Sequence, residues 1–416
     1  MTKLSAKHQK VVVGEISRWQ TEGVIDDSLA SSLILQYPDY QTGANVSGAL
    51  SIAGASLVGL GSILFMAANW QQIPIILKLL LIFAAILISN FFGWKLRFEP
   101  GNRPKTGTGL LLLANIFFGA GIWLIAQIFN VDTHFPTGAL LWALGTAFSA
   151  LATGLVPLGC LASILGGLWL FVQQDWDTQR LVSNLPYFLA YTSASFGLGY
   201  YLRSRAVMWV TLIAGSLWML LSSPVRDIAL LLWGVTVFAG YFGAREKHAH
   251  LSSPFLYAGS ITILGSILFT TTFGGFHYEK ISTELVPIMS ICLSVLGVVA
   301  WRVPKFKEEM LACAITVILF SLCLGNAEAS AKLVSNIAIL GVIAGFIYTG
   351  LNRIHSTGLV NVAIVFFVFD IIARYFDYFY SMMNRSVFFL IGGVVLMVVG
   401  TLAEQGRRKM VEGLQS

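Results

Sequence analysis

The run Ser356-Thr-Gly-Leu-Val-Asn-Val-Ala-Ile-Val-Phe-Phe-Val-Phe-Asp-Ile-Ile-Ala-Arg-Tyr-Phe-Asp377 decides the fold class. It is long and apolar enough to cross a hydrocarbon core as a helix, which takes about 20 residues. Yet Asp370, Arg374 and Asp377 stand in its second half. Their spacing of i, i+4 and i+7 puts all three on one helical face. Counted from Ser356, Asp370 lies roughly 21 Å into a core of about 30 Å. A charge at that depth is costly and marks a partner, a cavity or a pathway. Arg374, one turn further out, can pair with Asp370 and reach the interface. Two readings follow: an intrahelical ion pair that fixes the helix against its neighbours, or an anion or proton site with Arg374 as fixed charge and Asp370 as the titrating group.

The surrounding chain has the same character. Of its 416 residues, 56% are hydrophobic and 11% charged, against about 25% charged in soluble domains. Such a chain cannot cover itself with polar groups, so lipid is its solvent. From Val46 onward about fourteen apolar segments follow, each sufficient to span a bilayer: 46–68, 75–94, 107–130, 136–154, 155–173, 184–202, 206–222, 225–243, 253–273, 284–301, 309–326, 332–351, 356–377 and 386–403. The split near Gly154–Pro157 and the short seventh segment are the weakest of these. Backbone groups in lipid must be satisfied within the segment, so the segments are helices. The expected fold is an all-α polytopic transmembrane bundle.

The basic residues orient it. Threading the chain through these segments puts 19 of the 26 Lys and Arg on one side and 7 on the other. That asymmetry is what the positive-inside rule expects, and it places both termini in the cytoplasm. The majority side includes Arg203, Arg205, Arg245, Lys305, Arg353 and Arg407; the minority side includes Lys78, Arg374 and Arg385.

Three regions are expected. Residues 1–45 form a cytoplasmic helical hairpin, its first helix from about Ser5 to Glu22 and its second capped by Asp26 or Asp27 and carrying Leu29 and Leu33. The second helix lacks Lys and Arg to meet phosphates, which argues against nucleic acid as a partner. Residues 46–403 form the bundle, and 404–416 a basic tail. Because the first residues are polar and mixed in charge, the first apolar segment is expected to serve as its own insertion signal. Leu60-Gly-Ser-Ile-Leu-Phe65 recurs as Leu264-Gly-Ser-Ile-Leu-Phe269. The match reads either as internal duplication, with a second part from about residue 253, or as coincidence in a restricted alphabet.

Polar residues gather at three helix ends on the minority side: Asn69 and Gln72 after the first span, Gln127 and Asn130 after the third, and Asp370, Arg374 and Asp377 in the thirteenth. They can line a shared outward-facing vestibule, or serve as interface anchors and caps. No zinc-protease, nucleophile-elbow or phosphate-loop motif is present, and the four cysteines lie in apolar runs without ligand spacing. No catalytic residue, metal site or cofactor is assigned.

The motifs also resemble a known family. Trp19-Gln-Thr-Glu-Gly-Val-Ile25, Ala67-Ala-Asn-Trp70-Gln-Gln-Ile-Pro74 followed by Lys78, and Gly119-Ala-Gly-Ile-Trp-Leu-Ile-Ala-Gln127-Ile-Phe-Asn130 followed by Leu141-Trp142-Ala143-Leu144 are similar to the bacterial membrane family catalogued as domain of unknown function 2157. The tail residues Ala373–Asp377, Arg385-Ser386, Phe388-Phe389 and Gly392-Gly393 resemble a segment common at the end of such chains. The resemblance implies a multi-spanning protein of the bacterial cytoplasmic (inner) membrane, makes any partner a separate chain, and brings no established activity. Taken together, the expectation is an integral membrane protein, transporter-like or binding a small polar or anionic ligand in the vestibule; the alternative is a non-transporting scaffold or sensor whose head docks a partner.

Overall fold

The structure is a computed structural model that describes residues 6–21, 24–34, 36, 73–99, 103–130, 135–174, 181–221, 226–273, 285–323, 328–380 and 385–415. Among these residues there are helices and no strand. The chain divides into two compact units, Met1–Lys78 and Leu79–Ser416.

In the first unit, α1 (Ala6–Thr21) and α2 (Asp27–Ile34) pack on each other. Val13, Ile16 and Ala30 are buried. Asp26 caps α2, its Oδ1 accepting from the Leu29 N–H at 2.9 Å, which satisfies a donor that the first helical turn leaves without a partner. The first apolar segment, 46–68, lies outside the described residues, as do Asn69, Gln72 and the earlier copy of the six-residue repeat.

The remaining expected segments each fall on a helix: α3 (Ile75–Phe98, which begins in the first unit), α4 (Pro104–Ile128), α5 (Phe135–Thr153), α6 (Val156–Gln173), α7 (Leu181–Tyr201), α8 (Arg205–Leu221), α9 (Arg226–Phe273), α10 (Leu285–Arg302), α11 (Lys307–Cys323), α12 (Glu328–Tyr348), α13 (Thr357–Phe379) and α14 (Arg385–Gln415). Among the described residues, 8 helices are long and apolar enough to cross a membrane, or up to 9 if the sharply bent pair α10 and α11 is one span. Those two helices meet at 119° across a turn at Pro304–Phe306.

The split near Gly154–Pro157 has a clear physical cause. Gly154 ends α5 at φ +66, with its N–H on the Ala150 carbonyl, and Pro157 opens α6 in the first turn, where no donor is needed. The two helices then fold back and pack closely. A second break divides α9. His248 leaves helical geometry at φ −139 and ψ 50, so the two expected spans follow each other without an intervening loop. Pro254 lacks the N–H that would bond the His250 carbonyl four residues earlier. The Arg205 Nε donates to that carbonyl instead.

Helix α9 is the hub of the second unit, packing on α8, α10, α11, α12 and α13. Phe238, Phe242, Leu256 and Ile267 on its two limbs belong to the largest buried cluster. Elsewhere the helices approach through glycines set against aromatic rings. Gly119 lies under the Trp142 indole, Gly138 under Trp123, Gly145 under Phe118, and Gly215 under Trp233. The Trp142 Nε1 donates to the Asn115 carbonyl at 2.8 Å, which fixes the ring in its place. The outer faces carry exposed Ile76, Leu87 and Phe91 on α3 and Leu390 and Met397 on α14, as lipid contact requires.

Gly119→Ala would drive a methyl into the Trp142 ring and is expected to cost about 1–3 kcal/mol. Gly265→Ala, where a methyl meets nothing within 4 Å, is expected to be neutral or to stabilise by about 0.5–1 kcal/mol through reduced chain entropy. Thermal unfolding of both variants in detergent checks this; equal losses would show that the Gly119–Trp142 approach does not govern stability.

Candidate functional site

Helix α13 opens at Ser356, whose hydroxyl accepts from the Leu359 N–H. Leu359, Val360, Ala363 and Asp370 are buried on it, and Phe366 packs on the core. Spaced at i, i+4, i+7 and i+11, Leu359, Ala363, Phe366 and Asp370 form one stripe, so the acidic residue continues the core face of its helix. Asp370 is 5% exposed.

Arg374 lies between the two carboxylates. Its Nε is 3.4 Å from Asp370 Oδ1 and its Nη1 donates to Asp377 Oδ2 at 2.8 Å. The side chains become more exposed along the series, from Asp370 through Arg374 to Asp377. The deepest charge is thus neutralised by the middle residue, and the remaining negative charge sits at the outermost one. Two edges of the guanidinium face carboxylates on its own helix.

The next residue ties this segment to α14. The Tyr375 hydroxyl donates to the Phe388 carbonyl at 2.6 Å, and its ring stacks on the Phe388 ring at 4.8 Å between centroids. Phe376 and Tyr380 meet Phe388 edge-on at 5.0 and 5.5 Å. Gly392 makes the approach possible, since a methyl there would stand 2.9 Å from Tyr375 Cε1. Tyr375, Phe388 and Gly392, which are scattered in the sequence, form one aromatic lock.

The other candidates lie elsewhere. Gln127 is exposed in the last turn of α4, and Asn130 is exposed just beyond its end. Asn130 adopts φ 47, a left-handed conformation that asparagine tolerates better than most residues, and its N–H points to the Gln127 carbonyl at 3.4 Å. Helix α4 packs on α5 and α6, whereas α13 packs on α9, α12 and α14. Asn69 and Gln72 are outside the described residues. The structure therefore brings Asp370, Arg374 and Asp377 together and gives Gln127 and Asn130 a setting of their own.

A second charged group was not singled out in the sequence. Arg353, on a π-helical turn at Thr349–Ile354, donates from Nε to Glu309 Oε1 at 2.7 Å, and Glu309 is buried. Arg353 also donates to the Lys305 carbonyl. The available signal was a pair of acids, Glu308-Glu309, at the start of an apolar run after Pro304. Spacing could not identify the partner, 44 residues away.

Residues 17–159 match the family described as "Predicted membrane protein (DUF2157)". The resemblance read from the sequence holds over that stretch, which includes the head helices from Ser17 and the Gly119–Trp142 packing; the tail motif lies outside it. No curated protein and no solved structure matches the chain.

Arg374→Gln would leave Asp370 buried beside a neutral partner, at an expected cost of about 2–4 kcal/mol. Tyr375→Phe keeps the ring and removes one hydrogen bond, at about 0.5–1.5 kcal/mol. Chemical unfolding in mixed micelles distinguishes them; an Arg374→Gln variant as stable as wild type would show that the clamp carries no folding energy.

Proposed function

We propose that this protein is a non-transporting membrane scaffold, anchored by its helical bundle and docking a separate partner protein through its N-terminal hairpin. The observation that carries this reading is the state of Arg374. It is held between two carboxylates of its own helix, and the adjoining Tyr375 is bonded and stacked onto α14. An incoming anion would meet Asp370 and Asp377 as well as Arg374, and like charges repel it. That arrangement suits a fastening between helices better than a binding site.

The hairpin supports the docking half. With Val13, Ile16 and Ala30 buried, it leaves Trp19, Val24 and Leu29 exposed, at 42%, 67% and 47%. Exposed apolar side chains of this size on so small a unit suit an interface with another protein, where tryptophan is a frequent anchor. On this reading the hairpin is cytoplasmic and the membrane is the bacterial inner membrane, in keeping with the 19-to-7 division of basic residues.

The second reading is a site for a small polar or anionic ligand at Asp370, Arg374 and Asp377. It draws on the burial of Asp370 deep in a span, where a charge often marks a pathway. The pair exchange Asp370→Arg with Arg374→Asp, made together with Asp377→Asn so that the carboxylate moved to position 374 meets no like charge, separates the two. A fastening tolerates the exchange, with stability within about 1 kcal/mol of wild type and in vivo phenotype retained; a ligand site loses function while the fold survives.

Docking is tested in cells by crosslinking from a photoreactive residue at Glu15. A single partner band is expected, lost or reduced at least roughly tenfold in Trp19→Ala/Leu29→Ala, since two anchor residues at about 1 kcal/mol or more each convert to that factor. An unchanged crosslinking pattern in the double variant would remove the support for a docking head.

A further inference from the structure

At the end of the bundle where α9 breaks, three cations surround one buried ring. The Phe306 centroid lies 5.9 Å from the Arg245 guanidinium, 5.8 Å from that of Arg353 and 5.7 Å from the Lys305 ammonium. The ring face attracts each cation, yet the cations repel one another. Arg353 is neutralised by Glu309 at 2.7 Å, with Glu308 at 3.9 Å. Among the described residues, no carboxylate stands within ion-pair distance of Arg245 or Lys305. The Nη1 of Arg245 is buried without a hydrogen-bond partner. A buried guanidinium donor left in that condition is expensive, and an anionic oxygen is the group that satisfies it best.

An apolar cleft of about 300 Å³ opens beside this cluster, lined by parts of α9, α11 and α12. That volume is at the small end of ligand pockets, which run from roughly 300 to 1,000 Å³. Glu309, which holds Arg353, and Thr349 stand at one end, and Leu319 and Ile337 line the other. The helix between Glu309 and Leu319 rises about 15 Å. This is half of a hydrocarbon core of about 30 Å, or the depth of one leaflet. Gly341 and Gly345 form part of the wall, and a methyl added at either would meet nothing within 4 Å. These glycines do not serve helix approach as Gly119 and Gly392 do; they keep the cleft open.

We propose that this end of the bundle binds an anionic phospholipid, with its phosphate between Arg245 and Lys305 and one acyl chain in the cleft between α11 and α12. Each half of the arrangement selects against a simpler occupant. A free anion has no use for a leaflet-deep apolar cleft, and a zwitterionic lipid brings with its phosphate a quaternary ammonium that Arg245 and Lys305 repel. Basic pockets between transmembrane helices on the cytoplasmic side have the chemistry that anionic headgroups require. Arg245, Lys305 and Arg353 all fall on the side to which the charge division assigns the cytoplasm.

The full chain, purified in a neutral maltoside detergent, is titrated with dioleoyl phosphatidylglycerol or dioleoyl phosphatidylcholine, and bound lipid is counted by native mass spectrometry. Wild type is expected to retain phosphatidylglycerol over phosphatidylcholine by roughly tenfold or more, as two cations near a headgroup imply. Arg245→Gln/Lys305→Gln is expected to remove that preference. Gly345→Leu, and Gly341→Val as a milder filling of the same cleft, are expected to lower retention of both lipids, with folding confirmed by an unchanged melting temperature. Equal retention of the two lipids by wild type, or a preference that survives the double glutamine variant, would overturn the headgroup assignment. Full displacement of phosphatidylglycerol by equimolar inorganic phosphate, or undiminished retention in both folded glycine variants, would overturn the acyl-chain assignment.

Discussion

Close approach between helices, made possible by glycine under an aromatic ring, is the constraint on which the rest of the structure depends. In lipid, burying apolar surface between helices gains little, because the lipid tails are equally apolar. Association must come from dense packing and from hydrogen bonds. Gly119 under Trp142, Gly145 under Phe118, Gly215 under Trp233 and Gly392 under Tyr375 provide the first. Trp142 and Tyr375 provide the second as well, since each ring carries a donor that reaches a carbonyl of the neighbouring helix or turn. A residue with a side chain at any of these glycines separates two helices and removes the bond together with the contact.

Charge is handled by the same economy. Several ionic groups near helix ends are joined to a backbone defect or to another charge. Arg205 takes the carbonyl that Pro254 releases at the break in α9. Arg353 joins the π turn to buried Glu309 and to the Lys305 carbonyl. Arg407 pairs with Glu404 and reaches Asn361 on α13. Arg205, Arg353 and Arg407 are among the basic residues that the alternation of spans assigns to one side of the membrane. Arg374, assigned to the other side, sits toward the opposite end of α13 from Asn361. Asp370 is the one trio member that reaches the core face, and Arg374 accompanies it there.

Much of this was legible in the sequence because the signals are local. An apolar run of span length in lipid permits one backbone solution, so helices such as Ile75–Phe98 and Thr357–Phe379 fall near their expected bounds. The Gly154–Pro157 boundary was visible in residue types that end one helix and begin another. The face shared by Asp370, Arg374 and Asp377 was fixed by helical periodicity. What was not legible was which partner each polar residue meets. Asn130 and Gln127 are polar at a helix end, and only the structure gives the φ of 47 at Asn130, a backbone reason for that residue type. Glu309 drew no attention, although its partnership with Arg353 joins the start of α11 to the π turn that precedes α13.

By itself, then, the sequence determined the solvent and, for the described residues, the secondary structure and the approximate limits of the helices. Each of these follows from the hydropathy and period of a contiguous stretch. Only the tertiary structure decided that Trp142 rests on Gly119, that Arg205 serves the carbonyl freed by Pro254, and that Arg245, Lys305 and Arg353 converge on Phe306. Those pairings join residues tens of positions apart. In a bundle whose helices are almost uniformly apolar, hydropathy does not distinguish one neighbour from another, so the choice falls to shape and to the few hydrogen bonds and charges that must be satisfied away from water.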